Sequence, residues 1–190
     1  RPTPPSSCQA GACAATAVAL SLGVEATVIV AGLLDFPGLP HRQEQVGASN
    51  GVAYINDSKA TNADAAARAL SCYEAIYWIV GGIAKDGGIE SLAPYFPRIR
   101  GAFLIGGSTE AFAATLEGRV PYSVCNTLDR ALDAAAVLAL SEAREGATVL
   151  LSPAAASFDQ FASYEARGDC FRESVATLLA NGRPDQRRAS

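Results

Sequence analysis

Residues Ala75 to Val80 read Ala-Ile-Tyr-Trp-Ile-Val, a near-continuous apolar run with no polar face. A strand of that composition has to be covered on both sides, which is the signature of the interior of a parallel sheet. The segments around it agree. Further strands are expected at Gly51–Asn56, Ala102–Ile105, Val120–Val124 and Ala147–Leu151. Between and after them, helical patterns run over Ala63–Cys72, Thr109–Leu116, Leu128–Arg144 and Asp169–Ala180, with a short one over Ile89–Tyr95. Strands alternating with helices predict the α/β class, a mostly parallel sheet with helices on both faces.

The stretch before Gly51 reads differently. Pro2, Pro4 and Pro5 make Arg1 to Gly11 an irregular lead-in. An Ala- and Leu-rich helix follows over Cys13–Leu22, with Gly23 as its cap, and then a second over Glu25–Leu34. Phe36-Pro37-Gly38-Leu39-Pro40 stops both, because two prolines around a glycine end a helix and stiffen the chain. A domain boundary is therefore expected near Leu39, giving regions 1–38 and 39–190.

Composition excludes several function classes. The chain has 190 residues, 49% of them hydrophobic, which is ample for a real core. Fifteen basic against 19 acidic side chains leave a net charge of −4, which argues against nucleic acid and anionic membranes as partners. The basic end from Asn181 to Ser190 (Arg183, Arg187, Arg188) reads as a solvated tail. Cys8, Cys13, Cys72, Cys125 and Cys170 are odd in number and lack a C-x-x-C pair, so neither a zinc site nor a disulfide framework is expected. A single histidine, His41, rules out any site that needs two imidazoles. Ala12 to Leu34 is interrupted by Glu25 and too short on either side to span a bilayer, and no signal peptide is read. The expectation is a soluble, cytoplasmic protein.

In a parallel α/β sheet, ligands gather outside the carboxyl ends of the strands. Asn56-Asp57-Ser58-Lys59-Ala60-Thr61-Asn62 follows the first expected strand. Helix capping by Asn62 or Thr61, with Asp64 in the first turn, accounts for part of it. Capping does not account for Lys59, since a cation beside a helix N-terminus is electrostatically misplaced unless an anion is shared there. Gly81-Gly82-Ile83-Ala84-Lys85-Asp86-Gly87-Gly88 allows close backbone approach and adds a charge, but it is not G-x-x-x-x-G-K-[ST]. Leu151 to Phe161 passes through Ser152-Pro153 and small residues to Ser157; taken alone it reads as a helix start capped by Ser157 or Asp159. Gly106-Gly107-Ser108 reads as a tight turn with Ser108 or Thr109 as cap. His41-Arg42 with Glu44 places a titratable ring and a cation just past the boundary.

Taken in order, five blocks carry a family resemblance. They are Leu39-Pro40-His41-Arg42-x-Glu44, Asn56 to Asn62, Gly81-Gly82-x-x-Lys85, Leu150-Leu151-Ser152-Pro153-Ala154-x-Ala156-Ser157-x-Asp159-Gln160-Phe161, and Arg167-Gly168-Asp169-x-Phe171. The chain resembles the C-terminal part of the Mur ligases of peptidoglycan synthesis, and most closely those that add D-glutamate. The resemblance implies a Rossmann-like C-terminal domain from Leu39 onward, preceded by a helical remnant of the family's central ATPase domain.

It also implies an activity. ATP phosphorylates the carboxylate of UDP-N-acetylmuramoyl-L-alanine, and the amine of D-glutamate attacks the acyl phosphate. By resemblance Thr61, Lys85, Ser157, Phe158 and Tyr164 form the D-glutamate pocket, while Arg42, Asp57, Ser58, Lys59 and Asn62 face ATP and His41 lies at the hinge. ATP and Mg2+ would be bound mainly by the central domain; no metal ligand is expected on this chain, and a monomer is expected. No G-x-x-x-x-G-K-[ST] occurs, and Ser6-Ser7-Cys8-Gln9 stands where relatives have a His-Asn pair. A truncated or frame-shifted product, inactive alone, is therefore expected. Addition of another amino acid and a non-catalytic Rossmann-like module remain alternatives; a nicotinamide dehydrogenase is disfavoured by the lack of G-x-G-x-x-G after the first strand.

Overall fold

A computed structural model describes residues 6–36 and 38–181, and divides the chain into two compact units, 1–39 and 40–190. In the first, α1 (Ser6–Ser21) is followed by α2 (Ala26–Asp35). Gly23 closes α1 as the sequence suggested: at φ 78° it occupies the left-handed region, its N–H reaches Leu20 O at 3.0 Å, and the Val24 N–H reaches Ala19 O at 3.0 Å. Those two bonds form a Schellman motif. The helix begins earlier than expected, at Ser6 instead of Cys13, so the irregular lead-in is corrected over residues 6–11. No proline lies between Ser6 and Ser21, and Gly11 weakens a helix by only about 1 kcal/mol against alanine, which does not end it among so many alanines. Residues 1–5, Pro37 and the basic tail 182–190 lie outside the described residues.

The second unit is a six-stranded sheet in the order β1-β2-β6-β3-β4-β5. Its strands are β1 (Glu44–Ser49), β2 (Val52–Asn56), β3 (Ala75–Gly81), β4 (Ile99–Ile105), β5 (Tyr122–Asn126) and β6 (Ala147–Leu151). Every neighbouring pair is parallel except β1 with β2. That antiparallel edge strand was not expected. Its hairpin turns at Asn50 (φ 51°) and Gly51 (φ 79°), the two left-handed residues that a type I′ turn requires. Helices α3 (Ala63–Leu70), α4 (Thr109–Leu116), α5 (Leu128–Glu142) and α6 (Tyr164–Ala180), with a 3₁₀ helix over Glu90–Arg98, complete it.

The apolar run is the sheet's centre. Ile76, Trp78 and Val80 pack into one cluster with α3, the 3₁₀ helix and α4, while Tyr77 and Ile79 pack into the other with α5 and α6. All five are 0% exposed. At about 1.5–3 kcal/mol per large side chain, this strand is a principal source of stability.

Two further boundaries move for physical reasons. β5 starts at Tyr122 instead of Val120, because Pro121 has no N–H for the ladder and contributes only its carbonyl, to the Ala102 N–H at 2.9 Å. α6 starts at Tyr164 instead of Asp169. Ser163 caps it, accepting from the Ala166 N–H at 3.2 Å. Gly168 inside this helix is explained by the His41 ring: a Cβ there would lie 2.2 Å from Nδ1.

Candidate functional site

Because β2, β3, β4 and β6 are parallel, the segments after them open on one edge of the sheet. The segment after β6 is the one to which the others are fastened. The Ser152 hydroxyl donates to Asp57 Oδ2 at 2.8 Å, tying it to the segment after β2. Ile83 and Ala156 form an antiparallel bridge, with N–H to O distances of 2.8 and 2.9 Å, tying it to the segment after β3. Asp159 Oδ2 accepts from the Gly107 N–H at 2.8 Å, and Gln160 donates to Asn126 O at 2.6 Å, tying it to the ends of β4 and β5. A side chain at Gly106 (φ 69°) would collide with Asp159, which accounts for the glycine.

Ser108 acts differently from its expected capping role. Its hydroxyl makes no cap bond; it donates to Gly82 O at 2.7 Å and accepts from the Ala84 N–H at 2.7 Å. It laces the β3 and β4 segments together. Likewise residues 157–161 do not begin a helix with Ser157 or Asp159 as cap, since α6 starts only after Ser163.

In the segment after β2, Asn62 takes the capping role, its Oδ1 accepting from the Ala65 N–H at 2.9 Å. Ser58 is fully buried; its hydroxyl donates to Tyr164 O at 2.8 Å and accepts from Arg167 Nε at 2.9 Å. Both side chains are thus hydrogen-bonded within the fold. Half-buried Lys59 has a partner that the sequence did not indicate: its Nζ lies 3.8 Å from the centre of the Tyr164 ring. A cation over an aromatic face is stabilised by about 0.5–1 kcal/mol at such a position. Thr61 is half-buried nearby in the chain, Lys85 and Phe158 are exposed, and Ser157 is buried one residue beyond the bridge. Among the described residues neither lysine enters an ion pair.

Asp57 is 7% exposed and has no salt bridge among the described residues. Burial pushes its carboxyl up to about 7, against the opposing pull of the Ser152 hydroxyl, the Gln43 N–H and the Arg42 charge. Near neutral pH it is divided between its two protonation states. Arg42 itself is exposed.

His41, at φ 60°, is locked rather than loose. Its Nδ1 lies 3.1 Å from Asn56 Nδ2 and its Nε2 3.8 Å from Asp169 Oδ1, while its carbonyl accepts from the Lys59 N–H at 3.0 Å. Its N–H donates to Glu44, which also receives the Arg172 guanidinium at 3.0 Å. Burial alone would raise the Glu44 carboxyl, but the His41 N–H and Arg172 outweigh it and hold it below the usual range.

Sequence reasoning assigned no role to Asn56, Ser152, Gln160 or Arg167 and offered Asp159 only as a helix cap, and these are the residues that fasten the site. Their signal was positional: each is polar and sits at the end of a strand, in the segment between β6 and α6, or in the first turns of α6. Chemically the edge offers two ammonium groups, hydroxyls and backbone amides, a set suited to a small molecule with carboxylates. Among the described residues no group of three or more His, Cys, Asp or Glu side chains is placed to hold a metal ion. No described helix is long and apolar enough to cross a membrane.

Comparison with known proteins places these features in context. A family model described as the Mur ligase, glutamate ligase domain matches residues 41–155. The chain is 58% identical, over 90% of its length, to the UDP-N-acetylmuramoylalanine--D-glutamate ligase of Paramagnetospirillum magneticum, covering 37% of that protein. It is 55% identical to the enzyme of the same name from Rhodospirillum rubrum, over 93% of this chain and 38% of the relative. The chain therefore spans less than two-fifths of the length of these curated relatives. A solved UDP-N-acetylmuramate-alanine ligase from Thermotoga maritima superposes with a TM-score of 0.66 at 16% identity, over 95% of this chain and 39% of that one, which establishes likeness of fold.

Proposed function

The chain belongs to the Mur ligases, and on that premise we propose that residues 40–181 are the amino-acid-binding domain of a D-glutamate-adding ligase of peptidoglycan precursor synthesis. Residues before the boundary are read as the last helices of its ATP-binding domain. In the complete enzyme, ATP would transfer its γ-phosphoryl group to the carboxylate of UDP-N-acetylmuramoyl-L-alanine. The D-glutamate amine would then attack the acyl carbon, forming the amide and releasing phosphate. Mg2+ would supply phosphate charge neutralisation from outside the described residues.

The observation that carries this reading is the Ile83–Ala156 bridge, which seats the Lys85 segment against Ser157. An ammonium and a hydroxyl on joined segments, with Thr61 on a third, suit the two carboxylates of D-glutamate by charge-assisted hydrogen bonding. Arg42, Asp57 and Lys59 are read as the ATP side. No side chain here need be a nucleophile, since the chemistry rests on positioning and charge stabilisation.

The test is a chimera in which residues 40–181 replace the matching part of the Paramagnetospirillum magneticum relative. It should ligate D-glutamate and not L-lysine or diaminopimelate. Lys85→Ala in that chimera should raise the KM for D-glutamate at least tenfold with little change in the KM for ATP. Equal changes in both would refute the assigned role.

A further inference from the structure

Arg167 is 1% exposed, and among the described residues its guanidinium bonds no carboxylate. Its three hydrogen bonds go to neutral oxygens on two different segments. Nε donates to Ser58 Oγ at 2.9 Å and Nη2 to Ser58 O at 2.9 Å, while Nη1 donates to Ala155 O at 3.1 Å. A buried cation is costly to keep without a counter-charge, and the fork of the guanidinium is the part of arginine that a simple charge cannot replace. Here the fork spans the segment after β2 and the segment after β6. Burial lowers the guanidinium pKa to about 10, with only the Asp159 charge opposing.

We infer that Arg167 is a positioning residue that couples the segments 57–62 and 152–157, so that the two sides of the candidate amino-acid pocket hold one spacing. The same contact reaches the aromatic partner of Lys59. Ser58 Oγ, which accepts from Arg167, donates onward to Tyr164 O, and the Tyr164 ring carries the Lys59 ammonium. The functional consequence, control of D-glutamate affinity, rests on the reading under Proposed function; the mechanical coupling does not.

Amide hydrogen exchange on the full chain separates the two. Lys59 and Ala60 report one segment, Ala156 and Phe161 the other; each N–H is hydrogen-bonded in the structure. Arg167→Lys keeps the charge but replaces the fork by one nitrogen. Exchange at all four amides should rise together by at least tenfold, while amides in β3 and β4 stay within twofold. Ser58→Ala, which removes the Arg167 Nε acceptor and the donor to Tyr164 O but leaves the two carbonyl bonds of the fork, should shift the same four amides in the same direction by a smaller factor, and it keeps the test decisive should the arginine variant fold poorly. Loosening of one segment alone would overturn the coupling. So would a uniform rise that includes β3 and β4, which would make Arg167 a general stabiliser.

D-glutamate titration followed by amide chemical shifts then reads the functional part. The wild-type chain should respond at Thr61, Lys85 and Ser157, and Arg167→Lys should weaken the response at least tenfold. A wild-type chain that ignores D-glutamate counts against the assigned substrate, and the exchange result still decides the coupling.

Discussion

α2 and β3 are two of the most apolar stretches of the chain, and their fates are opposite. The ten residues Ala-Thr-Val-Ile-Val-Ala-Gly-Leu-Leu-Asp of α2 include no buried residue, with Val28 60% and Leu34 65% exposed. All seven residues of β3 are buried. Hydrophobic content is alike in kind; what differs is the supply of covering surface within each compact unit. β3 lies between β6 and β4 with helices over both faces, whereas the described residues of the first unit form two helices. Burial is a property of the arrangement, and composition only permits it.

The contrast can be sharpened by mutation. Trp78→Ala, at the centre of β3, removes a 0% exposed side chain whose Nε1 donates to Ser152 O at 2.7 Å. A loss of about 3–5 kcal/mol is expected from denaturant unfolding, together with weakening of the segment that Ser152 anchors. Asp57 gives the next effect. Folded, it holds its proton up to about pH 7, while an unfolded aspartate releases it near pH 4. Folding therefore takes up a proton between those values, and stability falls as pH rises through that window. Asp57→Asn should flatten this slope by a few kcal/mol between pH 4 and pH 8, measured by urea midpoints. An unchanged slope would show that Asp57 is ionised throughout. Leu34→Ala in α2 should have the smallest effect, within about 0.5 kcal/mol. A loss approaching that of Trp78→Ala would break the comparison and show that α2 is covered in solution.

Local signals were read correctly where they act locally. Gly23 ends α1 and Asn62 caps α3, because left-handed backbone and an N-terminal amide partner are demands that one residue can meet. The Asn50-Gly51 pair was an equally local hairpin signal; its strand was overlooked because Glu44–Ser49, half-buried and partly polar, lacks a continuous apolar run. The expected α6 began at Asp169, whereas the helix starts at Tyr164 and carries Gly168 inside it, against the His41 ring. Lys59 looked misplaced because its partner, Tyr164, lies far along the chain.

By itself the sequence determined that the chain would build a covered, mostly parallel sheet, and where its polar segments would emerge. Periodicity and strand-end chemistry are carried by neighbouring residues, so they survive in one dimension. The tertiary structure alone decided that the segment after β6 would fasten the others, that burial would raise the Asp57 carboxyl to about 7, and that Arg167 would bridge two segments through neutral oxygens. Each of these depends on partners up to about a hundred residues apart (Ser58 and Arg167 are separated by 109), and on a local dielectric that exists only once the sheet and its helices have closed around them.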